Sequence, residues 1–148
     1  MQFRVLEPEE IATLKGPLTD LEAHHNEVAE TFSGVYPIMP VDETIEDAMA
    51  LVRENRARVE ILLDDDGNIA GFSNAQHHGE NGEINWLYVR DDLRGQGWGK
   101  QLFDNALDYL RDHGVHLVDL FVVRGNPARE FYEAAGFEER VAVLSMRL

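Results

Sequence analysis

The stretch Arg94-Gly95-Gln96-Gly97-Trp98-Gly99-Lys100 sets three glycines at alternate positions between two segments of opposite character. Before it, Ile84 to Val89 is apolar on both faces apart from Asn85, with Ile84, Trp86 and Tyr88 alternating with Asn85, Leu87 and Val89, the pattern of a strand. Arg90-Asp91-Asp92 is the polar turn that stops it. After it, Trp98, Leu102, Phe103, Ala106, Leu107 and Leu110 recur at helical spacing until His113-Gly114 closes the run. Glycine lets the backbone approach a ligand closely, and the first N–H groups of the helix point into the same space with the positive dipole end behind them. Arg94 adds a cation. Strand, loop and helix together suit a pyrophosphate held by main-chain donors.

Two commoner phosphate loops fail on their own residues. A P-loop, Gly-x-x-x-x-Gly-Lys-Ser/Thr, needs glycine where Arg94 stands and a hydroxyl where Gln101 stands. The dinucleotide fingerprint needs its third glycine at Lys100. What the stretch does match is Arg-x-x-Gly-x-Gly, as Arg94, Gly97 and Gly99, preceded by Leu87-Tyr88-Val89. This resembles the acetyl-coenzyme A loop of the GNAT superfamily of N-acetyltransferases. Downstream, Asn126-Pro127-Ala128-Arg129-Glu130-Phe131-Tyr132-Glu133-Ala134-Ala135-Gly136-Phe137 is similar to the family's second signature. Ala128, Phe131, Tyr132, Glu133, Gly136 and Phe137 match by spacing, whereas the family's asparagine position falls on Gly125 and Asn126 stands one residue later. Asn and Pro suit a helix start and Gly136 its stop. The resemblance covers the chain from Glu83 onward, and the N-terminal half matches only in its order of elements.

That order begins with a strand at Gln2–Leu6 and a short helix around Ile11–Leu14, broken by Gly16-Pro17. A helix with Leu21, Val28 and Phe32 on one stripe follows. His24 and His25 are adjacent, so they point to different sides of that helix and read as packed or solvated residues, not as a metal pair. Ser33 to Pro40 is an apolar loop with two prolines, a cap on the core or, as the resemblance implies, a wall of the acceptor pocket, and Thr44 with Asp47 reads as a capping box opening the next helix. Val59–Leu63 and Ile69–Ala75 form a hairpin across the acidic turn Asp64 to Asn68. Neither that turn nor His77-His78 has metal spacing, and no metal is expected. Val115 to Val123 reads as a buried strand, and Glu138 to Leu148 alternates as one or two closing strands.

A length of 148 residues suits a single domain, 1–148. No apolar run approaches membrane-spanning length and the N-terminus has no signal-peptide layout, so a cytoplasmic protein is expected. The absence of cysteine removes disulfides and an acyl-cysteine intermediate. The net charge of −15 argues against nucleic acid and anionic membrane as partners. It is compatible with a cationic acceptor, with Glu22, Glu27, Glu30 and Asp42 beside Val35, Tyr36 and Ile38, and equally with acidity that serves solubility alone.

The resemblance implies an α/β fold with a mixed, mainly antiparallel central sheet of six to seven strands, flanked by helices and splayed at the coenzyme site. It implies that the main chain of Leu87 and Val89 pairs with the pantetheine amides of acetyl-CoA. Arg94, Gly95, Gln96, Gly97, Trp98, Gly99 and Lys100 would hold the pyrophosphate, with Asn126 on the coenzyme arm. The implied reaction is direct attack on the thioester by a primary amine of a small molecule or peptide, with Glu83 as base and Tyr132 as acid. The resemblance also admits a homodimer. The alternative is a domain that binds an acyl-coenzyme A and signals without turnover.

Overall fold

The computed structural model describes residues 1–148. Strand β1 (Gln2–Val5) leads through a 3-10 turn at Pro8–Leu14 directly into helix α1 (Lys15–Val28). The Gly16-Pro17 pair therefore does not break the chain's helical course: Pro17 falls in the first turn of α1, where its missing N–H has no intrahelical partner to lose. Helix α2 (Val41–Arg53) begins just after Pro40, earlier than Thr44, which lies inside the helix and does not cap it. Strands β2 (Ala57–Leu63), β3 (Ile69–His78) and β4 (Asn81–Val89) follow as an antiparallel meander. A short 3-10 turn at Asp91–Leu93, helix α3 (Trp98–Asp112), strand β5 (Leu117–Asp119) and helix α4 (Ala128–Ala134) complete the chain.

The sheet has five strands in the order β1-β2-β3-β4-β5, antiparallel except for the parallel β4–β5 pair. It is mixed and mainly antiparallel as the sequence suggests, but the count of six to seven strands is corrected to five. Residues 138–148 form no strand, and Leu144 is 93% exposed. Alternation of Val141 and Val143 with smaller residues suits a strand, yet no neighbouring backbone pairs with it. Side chains tether the segment instead: Arg140 bonds Asp119 at 2.8 Å, and the Arg147 guanidinium lies 5.3 Å from the Phe32 ring. The buried strand read at Val115–Val123 shrinks to Leu117–Asp119, because β5 stays with β4 only over Asn81–Glu83.

Side-chain alternation sends the two faces of the sheet into separate cores. Val59, Ile61, Phe72 and Trp86 pack under α1 and α2 with Leu14, Leu18, Leu21, Ile45 and Ala48. Leu62, Ala70, Ala75, Ile84 and Val89 pack on the other face, against Leu102, Phe103, Ala106 and Leu110 of α3. Ile84 and Trp86, expected on one face, lie on opposite faces. Ala75 pairs with Ile84 and Asn74 with Trp86, so Asn85 is an extra residue that bulges out of β4. This bulge sits two residues beyond the last β4–β5 pair, and the two strands part there.

Candidate functional site

The parting of β4 from the chain after β5 opens a cavity of about 460 Å³. One wall is β4 from Ile84 to Val89, and the other is Leu120, Phe121 and Val122. The Arg90 N–H donates to the Ala70 carbonyl at 2.8 Å, so alternate main-chain groups of β4 point towards β3. Those of Leu87 and Val89 consequently point the other way, into the gap. The Val89 carbonyl already accepts a bond of 2.9 Å from Arg94 Nε on that side.

The glycine loop forms one end of the cavity, with Arg94, Gly95, Gly97, Gly99 and Lys100 all lining it. Gly97 caps α3 at φ +89°, a left-handed conformation that favours glycine, and a Cβ there would project into open space. The first intrahelical bond from this end is Gln101 N–H to Gly97 O, which leaves the N–H groups of Trp98, Gly99 and Lys100 without helical partners. These unpaired donors, the positive helix end and two cations fit a pyrophosphate. Arg94 is held over the Tyr88 ring at 5.5 Å and paired with Asp91 at 2.6 Å, while Lys100 is paired with Asp104 at 2.6 Å. Gln96 reaches back towards the Asp92 carbonyl at 3.5 Å, and Trp98 packs against Phe3 with ring centres 6.0 Å apart. Neither side chain lines the cavity, so any contact from these two positions would come from the main chain.

Helix α4 supplies the far wall. Tyr132 lines the cavity, steadied by Phe103, Phe131 and Phe137, whose ring centres lie 5.9, 5.5 and 6.2 Å away. Burial pushes its hydroxyl up to about 12. Asn126 also lines the cavity, but its Oδ1 accepts the Ala128 N–H at 2.9 Å and caps the start of α4. Its amide N–H groups are the part left for a ligand.

Glu83 lies outside these walls. It stands where β4 still pairs with β5, opposite Asp119 on one side and Gln76 on the other, and accepts a 2.9 Å bond from Gln76 Nε2. Burial first, and the Asp119 charge second, raise its carboxyl above the usual range.

The end of α1 closes the cavity from above. His24 and His25 both line it, together with Leu21. The Glu30 N–H donates to the Arg124 carbonyl at 2.8 Å, and their side chains pair at 3.4 Å, so α1 is tied across the gap to the segment after β5. The sequence reading set both histidines aside as packed or solvated residues. His25 stands four residues after Leu21, on the same helical stripe, and nothing in one sequence indicates which part of that helix faces a void. Asn85 was missed for the same reason, since a bulge leaves no periodic signal. Of the carboxylates proposed for the acceptor side, Glu22 pairs with His25 at 3.4 Å, Glu30 with Arg124, and Asp42 with Lys15 at 3.1 Å. No carboxylate lines the cavity. No group of three or more His, Asp or Glu side chains converges as a metal ligand set, and no helix is long and apolar enough to cross a membrane.

A mixed sheet splayed beside a glycine-capped helix defines an α/β domain with a cleft at the end of its parallel strands. The chain belongs to the acetyltransferase (GNAT) family, whose model matches residues 21–137. It is 40% identical over 62 residues to an uncharacterized N-acetyltransferase, MJ1207, of Methanocaldococcus jannaschii, covering 41% of this chain and 27% of that protein. It is 31% identical over 104 residues to the mycothiol acetyltransferase of Clavibacter sepedonicus, covering 70% and 34% of the two chains. The aligned stretches thus span about a quarter to a third of these two relatives. Among solved structures, the aminoglycoside N-acetyltransferase AAC(6')-Iy in complex with CoA shares the fold with a TM-score of 0.70 at 16% identity, over 99% of this chain and 98% of that one.

Proposed function

We propose that this chain transfers an acetyl group from acetyl-CoA to a primary amine of a small-molecule or peptide acceptor. The observation that carries the reading is the cavity itself, which runs from the unpaired N–H groups of α3 to Tyr132 along the main chain of Leu87 and Val89, whose groups point away from β3 and of which only the Val89 carbonyl already has a partner, Arg94. Pyrophosphate held at the helix end would lay the pantetheine arm along β4 and bring the thioester towards the bulge at Asn85. Each charge-assisted bond of this kind is worth roughly 1.5–3 kcal/mol.

The amine nitrogen attacks the thioester carbonyl, the C–N bond forms and the C–S bond breaks with its electron pair on sulfur. The nitrogen sheds its second proton to solvent as the amide forms, and Tyr132, kept protonated by burial, gives its proton to the departing thiolate and regains one from that solvent. An amine with a pKa near 10.4 is neutral in only about one molecule in 2,500 at pH 7, so a proton must leave first. Glu83 receives it through water, since it lies outside the cavity walls. Its raised pKa makes it a better proton acceptor than an ordinary surface carboxylate.

The acceptor is drawn in by the field of a chain carrying a net charge of −15, not by a carboxylate inside the cavity. Coenzyme release from acetyl-CoA, measured over cationic, neutral and anionic amines at low and high salt, tests the whole reading. Release with a cationic amine, weakened by salt, is the expected result. Coenzyme binding without release for any amine would replace transfer with a sensing role.

A further inference from the structure

The two histidines at the end of α1 face the cavity but differ in how they are held. His25 turns Nδ1 towards Glu22 at 3.4 Å and packs edge-on against Tyr36, with ring centres 5.6 Å apart. His24 has no such tie: it meets the Tyr88 ring edge-on at 6.4 Å, and neither of its ring nitrogens is bonded by a residue of the chain. The residue is half-buried at the cavity wall, and its ring nitrogens have no protein partner. The roof over the cavity is fixed by the Glu30–Arg124 crosslink, which keeps this part of α1 above the gap. With no carboxylate on the cavity walls, an incoming amine has few acceptors to meet, and Asn126 already spends its Oδ1 on α4.

Resting on the acetyltransferase reading, we propose that His24 is the acceptor-binding residue, taking a hydrogen bond from the substrate's amine through a free ring nitrogen. The bond positions the nitrogen lone pair while the departing proton passes to water and Glu83. The role requires an uncharged ring. Burial chiefly, and then Arg94, lower the imidazole's pKa below the ordinary histidine value, with His25 acting in the same direction. Asp91 and Glu27 oppose them, and Tyr88 faces the ring from β4 without a charge at neutral pH. As pH falls through this lowered pKa, the ring gains a proton, loses its acceptor nitrogen and repels an ammonium beside Arg94. Amine binding therefore weakens in acid.

The test compares wild type, His24→Ala, His24→Asn and the distant control His116→Ala by coenzyme release over the amine panel. Calorimetry gives acetyl-CoA affinity, and circular dichroism confirms that each variant is folded. The expected result is a rise of about tenfold or more in the amine KM of His24→Ala, the loss of one hydrogen bond to a charged or polar partner. Asn, which keeps an uncharged acceptor, recovers part of the loss and removes the acid limb from the pH dependence of amine KM. Coenzyme affinity stays within about twofold throughout. An unchanged amine KM in folded His24→Ala overturns the assignment, as does a parallel loss of coenzyme affinity, which makes His24 a coenzyme contact. If wild type binds acetyl-CoA but turns over no amine, the acetyltransferase reading fails and this inference falls with it.

Discussion

A Cβ on Gly125 would sit 2.5 Å from the carbonyl oxygen of Val28, so the segment after β5 passes directly against the last turn of α1. Gly125 also has φ +99°, where side chains are strained whatever the space. The contact adjoins the Glu30–Arg124 bond, and together they make α1 the lid of the cavity. Gly125→Ala should therefore cost on the order of 3 kcal/mol, from the positive φ and the overpacking combined. Chemical denaturation measures the loss, and a stability equal to wild type would show that the lid is loosely held.

The glycine loop separates binding from stability. At Gly97 a methyl group meets no atom within 4 Å, so only the left-handed φ opposes it, at about 1–2 kcal/mol. The same methyl would enter the open space that Gly97 borders, where the pyrophosphate is proposed to bind. Gly97→Ala should stay folded and lose acetyl-CoA affinity by roughly ten- to a hundredfold, as one charge-assisted bond lost would cause. Calorimetry on the folded variant decides it, and unaltered affinity would remove the pyrophosphate from this loop.

Tyr132→Phe removes the proposed acid and leaves the aromatic packing with Phe103, Phe131 and Phe137 in place. Turnover should fall on the order of a hundredfold, with acetyl-CoA affinity little changed. Thermal stability should hold, because the ring contacts remain. Equal turnover would reduce Tyr132 to a packing residue of α4.

Glu83 gives a prediction with opposite signs in stability and activity. Its folded pKa is raised above 4.5, so between that value and the raised one the folded state binds more protons than the unfolded. Stability from this site is present in acid and is lost as pH climbs through the raised pKa. Glu83→Gln should therefore be relatively more stable at pH 7 than at pH 4, when each is compared with wild type. Its rate–pH profile should lose the acid limb. Thermal melts at the two pH values and a coenzyme-release profile check both halves. A limb that persists would assign the proton to another group.

The geometry of the glycine loop at the end of the cavity was legible in the sequence because it is local. Alternating glycines, a preceding strand and a following amphipathic helix occupy consecutive residues, and backbone conformation alone turns Gly97 and the first N–H groups of α3 towards one space. The place of Tyr132 on the cavity wall was equally readable, since its helix has its own start and stop signals and a spacing that matches a known pattern. What required the folded chain were relations between distant residues. The bulge at Asn85 depends on how β4 registers against Asn74 and Ala75, so strand periodicity put Ile84 on the wrong face. The closing strands failed because alternation records a preference for a two-sided environment and cannot supply a neighbour, and residues 138–148 find none. The pairing of Glu30 with Arg124 and of Asp42 with Lys15, and the 3.4 Å approach of Glu22 to His25, occupied carboxylates that composition assigned to the acceptor. His24 lines the cavity only because the close pass of Val28 over Gly125 holds α1 across the gap. Proximity of that kind is decided by tertiary packing, because no local interaction encodes which face of a buried helical stripe will overlie a void.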